Sequence, residues 1–179
     1  ENGKAKLIKV WFRVAPDAKK PDQAVRLLSF LERARTIKGC GLPGLPKVLD
    51  FGLSRGSLLL VTEWVEGQTL SEWLARIPSF EERLAVCRSI LDALERIHAL
   101  EFAHGDIHPQ NIIVKEDGAV TLIDVLDFHL DADDHYTTAY LPDNYKALTP
   151  FERDRYSIAA VLTEVLGTTR ENPGAGEYP

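Results

Sequence analysis

Eight residues, His104-Gly105-Asp106-Ile107-His108-Pro109-Gln110-Asn111, constrain this chain more than any other stretch. They separate a segment of helical spacing from a segment of hairpin spacing. Before them, Ser79 and Glu82 form a capping-box pair. A helix then runs to about Leu100, with Leu84, Cys87, Ile90, Leu91, Leu94 and Ile97 on its inward face. After them, Ile112 to Val114 and Val120 to Ile123 are short apolar strands around Asp117-Gly118, a preferred two-residue hairpin turn. That turn sets Asn111 opposite Asp124, and opposed residues of an antiparallel pair have Cβ atoms about 4.5–5.5 Å apart. Pro109 stiffens the loop between Asp106 and Asn111. Asp106, Asn111 and Asp124 are therefore expected to meet.

The rest of the chain supplies a scaffold. Lys6 to Phe12 reads as a strand, Pro16 to Pro21 as a loop, and Asp22 to Lys38 as a helix. That helix carries Val25, Leu28 and Leu31, and Leu27, Phe30, Ala34 and Ile37, on nearby faces. Strands at Lys47 to Leu53 and Leu58 to Val65 flank the turn Ser54-Arg55-Gly56. Thr69 with Glu72 starts a short helix to Arg76. Thr149-Pro150-Phe151-Glu152 starts another that runs to Leu166. The order gives an α+β chain with a sheet-rich front and a helical back.

Composition removes several classes. With 45% hydrophobic and 27% charged residues among 179, the chain can bury a core and is not disordered. A net charge of −6 argues against nucleic-acid or anionic-membrane partners. No apolar run approaches a membrane span and no signal peptide precedes the fold, so a cytoplasmic location is expected. Cys40 and Cys87 are read as reduced, buried thiols, the alternative being one disulfide. His104 and His108 have no third ligand in pattern for zinc. The acidic run from Asp127 to Asp134 lacks the Gly and distal Glu of a calcium loop.

An Asp, an Asn five positions on and an Asp at a strand end suit phosphoryl transfer. One carboxylate orients or accepts the proton of an attacking hydroxyl, while an amide and a second carboxylate hold a divalent cation on nucleotide phosphates. On these residues the chain resembles the protein-kinase-like superfamily, over residues 6 to about 167. The resemblance implies a two-lobed fold: residues 1–66 as a partial small lobe and 67–179 as a partial large lobe. It implies Asp106 as catalytic base, Asn111 and Asp124 as Mg²⁺ or Mn²⁺ ligands, and Lys9 as the clamp on the ATP phosphates. Glu32 is chosen as the partner of Lys9, although Arg33 holds the strictly ungapped position. Thr62, the backbone of Glu63 and Val65, and Ile113 are implied to face the adenine. Asp154 is implied to brace the catalytic loop.

Departures from the family pattern shape the functional expectation. Gly105 replaces an Arg that meets a phosphate on the activation segment, so activity is not expected to need phosphorylation of Tyr136, Thr137 or Thr138. Asp124-Val125-Leu126 replaces Asp-Phe-Gly, and Pro142-Asp143-Asn144 replaces Ala-Pro-Glu. No glycine-rich loop precedes Lys9. The resemblance thus implies an incomplete domain, weak or inactive by itself, from a larger parent with other domains. The expected activity is an ATP-dependent phosphotransferase of serine/threonine-protein-kinase type acting on a protein hydroxyl. One alternative is a small-molecule kinase, because His-Gly-Asp-Ile-His-Pro-Gln-Asn resembles the loop of aminoglycoside- and choline-type phosphotransferases. A pseudokinase that senses nucleotide is the other.

Overall fold

A computed structural model describes residues 5–128 and 138–167. Strand β1 (Lys6–Trp11) leads to helix α1 (Pro21–Cys40) and then to the hairpin of β2 (Val48–Ser54) and β3 (Ser57–Glu63). These strands form one antiparallel sheet in the order β1-β3-β2. Alternation along β1 turns Ile8, Val10 and then Phe12 outward, and Leu7, Lys9 and Trp11 inward. Helix α1 presents Gln23, Leu27, Phe30, Ala34 and Ile37 to the interior, at spacings of three and four. Its Val25 and Leu28 are exposed. Pro21 opens the helix, and Gly41, at φ 55, closes it with an N–H bond to the Ile37 carbonyl.

The second half is built around α3 (Phe80–His98) and α4 (Pro150–Val165), with a small sheet of β4 (Gln68–Thr69), β5 (Ile112–Val114) and β6 (Val120–Leu122). Helix α2 (Leu70–Leu74) joins β4 to α3. Thr69, Ser79 and Thr149 cap α2, α3 and α4, each with the reciprocal glutamate bond of a capping box. The buried face of α3 is Val86, Cys87, Ile90, Ala93, Leu94 and Ile97. Four of the six expected residues, Cys87, Ile90, Leu94 and Ile97, lie on it, while Leu91 is exposed and Val86 and Ala93 complete the stripe. One continuous core links both halves through residues such as Phe30, Leu60, Ile90, Leu122 and Val161. Among the described residues no helix is long and apolar enough to cross a membrane. Both cysteines are free, but only Cys87 is buried; Cys40 is exposed at the end of α1.

The β5–β6 register differs from the expected one. Val114 pairs with Val120 and Ile112 with Leu122. The loop has three residues, Glu116-Asp117-Gly118, closed by Lys115 N–H to the Ala119 carbonyl at 2.9 Å. Gly118 sits at φ 79, and the Asp117 carboxylate accepts from Ala119 N–H at 2.9 Å. This is the three-residue hairpin with a left-handed glycine, which the Asp-Gly pair serves as well as it serves the two-residue turn. Asn111 consequently faces Ile123, whose N–H donates to the Asn111 carbonyl at 2.9 Å. Asp124 lies one residue beyond that pair. A true two-residue turn occurs instead at Arg55-Gly56, both at positive φ, joining β2 to β3.

Gly67 leads into β4 at φ 145, and a Cβ there would lie 2.6 Å from both the Val114 carbonyl oxygen and Ile113 Cγ2. The neighbouring oxygen is backbone and cannot yield. Gly67→Ala is therefore expected to lower stability by about 2 kcal/mol, read as a drop in the urea midpoint with an unchanged slope.

Candidate active site

The sheet of β1–β3 and the hairpin of β5–β6 enclose a cleft of about 330 Å³. Lys9, Thr62, Glu63, Val65, Ile113 and Asp124 all line it, so six of the ten residues given roles in the sequence share one cavity. Lys9 arrives there because inward positions alternate along β1. Thr62 sits on the central strand, opposite Leu7 on one side and Val48 on the other. Leu7, Ile113 and Ile123 give the cleft apolar walls. Trp64 stands 55% exposed on the rim.

Asp124 is in the left-handed region at φ 65. For a residue with a side chain this costs roughly 1–2 kcal/mol and persists where neighbours enforce it. The turn takes Asp124 out of the β6 direction, and its Oδ1 meets Lys9 Nζ at 2.9 Å. Asp106 and Asn111 form the second group. Asn111 Nδ2 donates to the Asp106 carbonyl at 3.0 Å and approaches Asp106 Oδ2 at 3.4 Å. A single 3₁₀ turn from Pro109 to Asn111 sets this geometry, with His108 Nδ1 accepting from Gln110 N–H. His108 Nε2 lies 3.4 Å from Asp106 Oδ2, so this histidine belongs to the loop and faces the carboxylate.

Beneath the loop, Asp154 at the start of α4 is almost fully buried. Its Oδ2 accepts from His104 N–H at 2.7 Å, and its Oδ1 from Gly105 N–H at 2.9 Å. His98 Nε2 is 2.8 Å from Oδ2. One carboxylate thus organises the entry to the Asp106–Asn111 loop from an element fifty residues away. His104 is a packing residue: its Nε2 meets the Ile123 carbonyl at 2.9 Å, and its Nδ1 accepts from Asp106 N–H.

Burial pushes the His104 imidazole below its ordinary value, against the opposing pull of Asp154, the Ile123 carbonyl, Asp106 and Asp124. Below about pH 6.5 the unfolded chain then binds a proton that the folded chain refuses. Stability is expected to fall with pH there, by at most about 1.4 kcal/mol per pH unit from this group. The urea midpoint of a His104→Asn variant should fall less between pH 7 and 5.5 than that of the wild type, by about the same arithmetic.

Glu32 is not in this assembly. It lies on the exposed side of α1, while Lys9 has its ion pair with Asp124. The neighbouring Arg33 takes the inward position. Its Nη2 donates to the Ala103 carbonyl at 2.9 Å and to the Val125 carbonyl at 3.1 Å. The physical reason is helical phase: Phe30, Ala34 and Ile37 face the interior, and Arg33 lies nearer that stripe than Glu32 does. Phe128 also escaped the sequence reading. It packs edge-on against Trp11 and Phe30 at centroid distances of 6.4 and 5.7 Å. Tyr136, Thr137 and the acidic positions 131–134 lie outside the described residues.

A small sheet with one helix, joined through a lined cleft to a helical half with an Asp–Asn loop braced from below, is a kinase-type fold. The protein kinase domain model matches residues 14–147, and the chain belongs to that family. It is 30% identical over 166 residues to a probable serine/threonine-protein kinase of Clostridium perfringens, covering 84% of this chain and 23% of that protein. It is 32% identical over 103 residues to the KEOPS complex subunit Bud32 of Pyrococcus abyssi, covering 58% of this chain and 43% of that protein. The crystal structure of Rad53 1–466 in complex with AMP-PNP matches the fold with a TM-score of 0.67 and 21% identity, over 92% of this chain and 41% of that one. The chain thus spans less than half the length of these relatives.

Proposed function

We propose that this chain is the nucleotide-binding and catalytic part of an ATP-dependent phosphotransferase, of serine/threonine-protein-kinase type. The observation that carries the reading is the convergence of Lys9, Thr62, Glu63, Val65, Ile113 and Asp124 on one cleft. The bonded pair Asp106–Asn111 stands next to it in the chain path, through the Ile123–Asn111 backbone bond. Residues 1–66 form the small lobe and 67–179 the large lobe in this reading, with other domains in the parent protein. A cytoplasmic location goes with it.

The roles follow from position. Leu7, Ile113 and Ile123 sandwich the purine, and Val65 offers backbone groups that take no hydrogen bond among the described residues. Lys9 carries the positive charge toward the phosphates from its place beside Asp124. Asn111 has its amide nitrogen turned to Asp106, which leaves Oδ1 as the oxygen for a cation. Asn111 and Asp124 are hard oxygen donors that leave most coordination positions to phosphate and water, as Mg²⁺ prefers. Such an ion, or Mn²⁺, neutralises charge on the phosphate oxygens. Asp106 orients the attacking hydroxyl and takes its proton.

A second reading, transfer to a small hydroxyl compound, is favoured by His108 standing beside Asp106. Radiolabelled ATP with Mg²⁺ distinguishes the two. The full-length protein is offered a degenerate Ser/Thr peptide mixture, and in parallel choline and an aminoglycoside. Label in the peptides is the expected result. Label confined to the small molecules favours the second reading, and binding of ATP with no transfer to either favours a nucleotide sensor.

A further inference from the structure

We propose that Arg33 is a positioning residue that holds Asp124 in its left-handed turn. The guanidinium lies where three segments meet: α1, the approach to the catalytic loop at Ala103, and Val125 just after Asp124. One nitrogen, Nη2, ties the last two together. Phe102 packs against the same guanidinium, 5.3 Å from its carbon to the ring centroid.

This placement is costly, and the cost points to a role. Nε is buried with no hydrogen-bond partner. Burial pulls the arginine below its ordinary value, and Asp154 opposes that pull. A buried guanidinium whose described partners are two neutral carbonyls is a poor source of stability compared with an apolar side chain of the same volume. What it does supply is a fixed fork of donors. Asp124 at φ 65 needs such an enforcer. Its side chain is held by Lys9, and its preceding residue by the Ile123–Asn111 bond. Arg33 holds the residue that follows. Lys9 has three N–H donors to divide between Asp124 and a phosphate, so a bound phosphate loosens its hold and leaves more of the aiming to the backbone restraints. Arg33 therefore couples α1 to the cation site through Val125, with no acidic residue of α1 contacting Lys9.

The inference rests on the phosphotransferase reading only in its second measurement. The first uses ligand-free protein and follows amide hydrogen exchange in wild type, Arg33→Met and Arg33→Lys. Arg33→Met is expected to speed exchange in residues 123–128 roughly tenfold, with β3 unchanged, because the opening is local. Arg33→Lys keeps the charge but loses the fork and is expected to fall between. Exchange in 123–128 within about twofold of wild type in Arg33→Met would overturn the proposal. The second measurement titrates Mn²⁺ into protein with a non-hydrolysable ATP analogue to read binding, and separate assays with ATP and Mn²⁺ give kcat and KM. Arg33→Met should weaken Mn²⁺ by about 10- to 100-fold and lower kcat, with the KM for ATP within about threefold. Arg33→Lys should recover part of both. A packing role predicts the opposite order, with Met closer to wild type than Lys, and that order would overturn the proposal. Should wild type itself fail to bind the analogue, the phosphotransferase reading fails, and the exchange data still decide the role of Arg33.

Discussion

Asp106→Asn in the full-length protein is expected to lower phosphoryl transfer by about 10²–10⁴-fold, the range for loss of a positioned general base. ATP affinity should change by less than about threefold, because a loss confined to the transition state lowers kcat and not ground-state binding. Asp106 does not line the cleft that holds Lys9 and Asp124. Its carboxylate sits beside Asn111 Nδ2 and His108 Nε2. Asn keeps the size and one acceptor but cannot take the proton. Steady-state kinetics and calorimetry on the same preparation separate the two quantities. Turnover within about threefold of wild type would contradict the role of Asp106.

Asp154→Ala is expected to have the largest effect on stability. The carboxylate satisfies two backbone N–H groups, of His104 and Gly105, and contacts His98. Removing it takes the acceptor from both N–H groups, that of His104 in the buried interior, and leaves a cavity. Breaking a buried charged network from one side costs about 3–5 kcal/mol. Thermal or urea unfolding reads this directly. Asp154→Asn, which retains an acceptor, should cost less, since a hydrogen bond to a charged group is worth about 1.5–3 kcal/mol and a neutral one about 1. Equal stability of Asp154→Ala and wild type would mean that the brace is not what holds the loop.

Much of this arrangement was legible in the sequence, for identifiable reasons. The capping boxes at Thr69, Ser79 and Thr149 are local and chemical, and all three appear at the expected positions. The cleft residues Lys9, Thr62 and Asp124 follow from strand alternation together with the family resemblance. The chain path around Asp117-Gly118 was less legible. The same dipeptide serves two-residue and three-residue loops, and one extra residue shifts every pair beyond it. Helical phase defeated the choice of Glu32. Glutamate and arginine at adjacent positions differ by about 100° round the axis, and only tertiary packing decides which turns in. Arg33 turns in against two carbonyls from segments 70 and 92 residues away, a partnership that no local spacing encodes.

The central claim is that Asn111 and Asp124 complete a cation site on a nucleotide held in the β1–β3 cleft. Calorimetric titration of ATP, with Mg²⁺ and then in EDTA, tests it most directly. ATP should bind at least about tenfold more weakly without the ion, and Asp124→Asn should abolish most of that difference. Equal affinity with Mg²⁺ and in EDTA, or an undiminished metal effect in Asp124→Asn, would contradict the account.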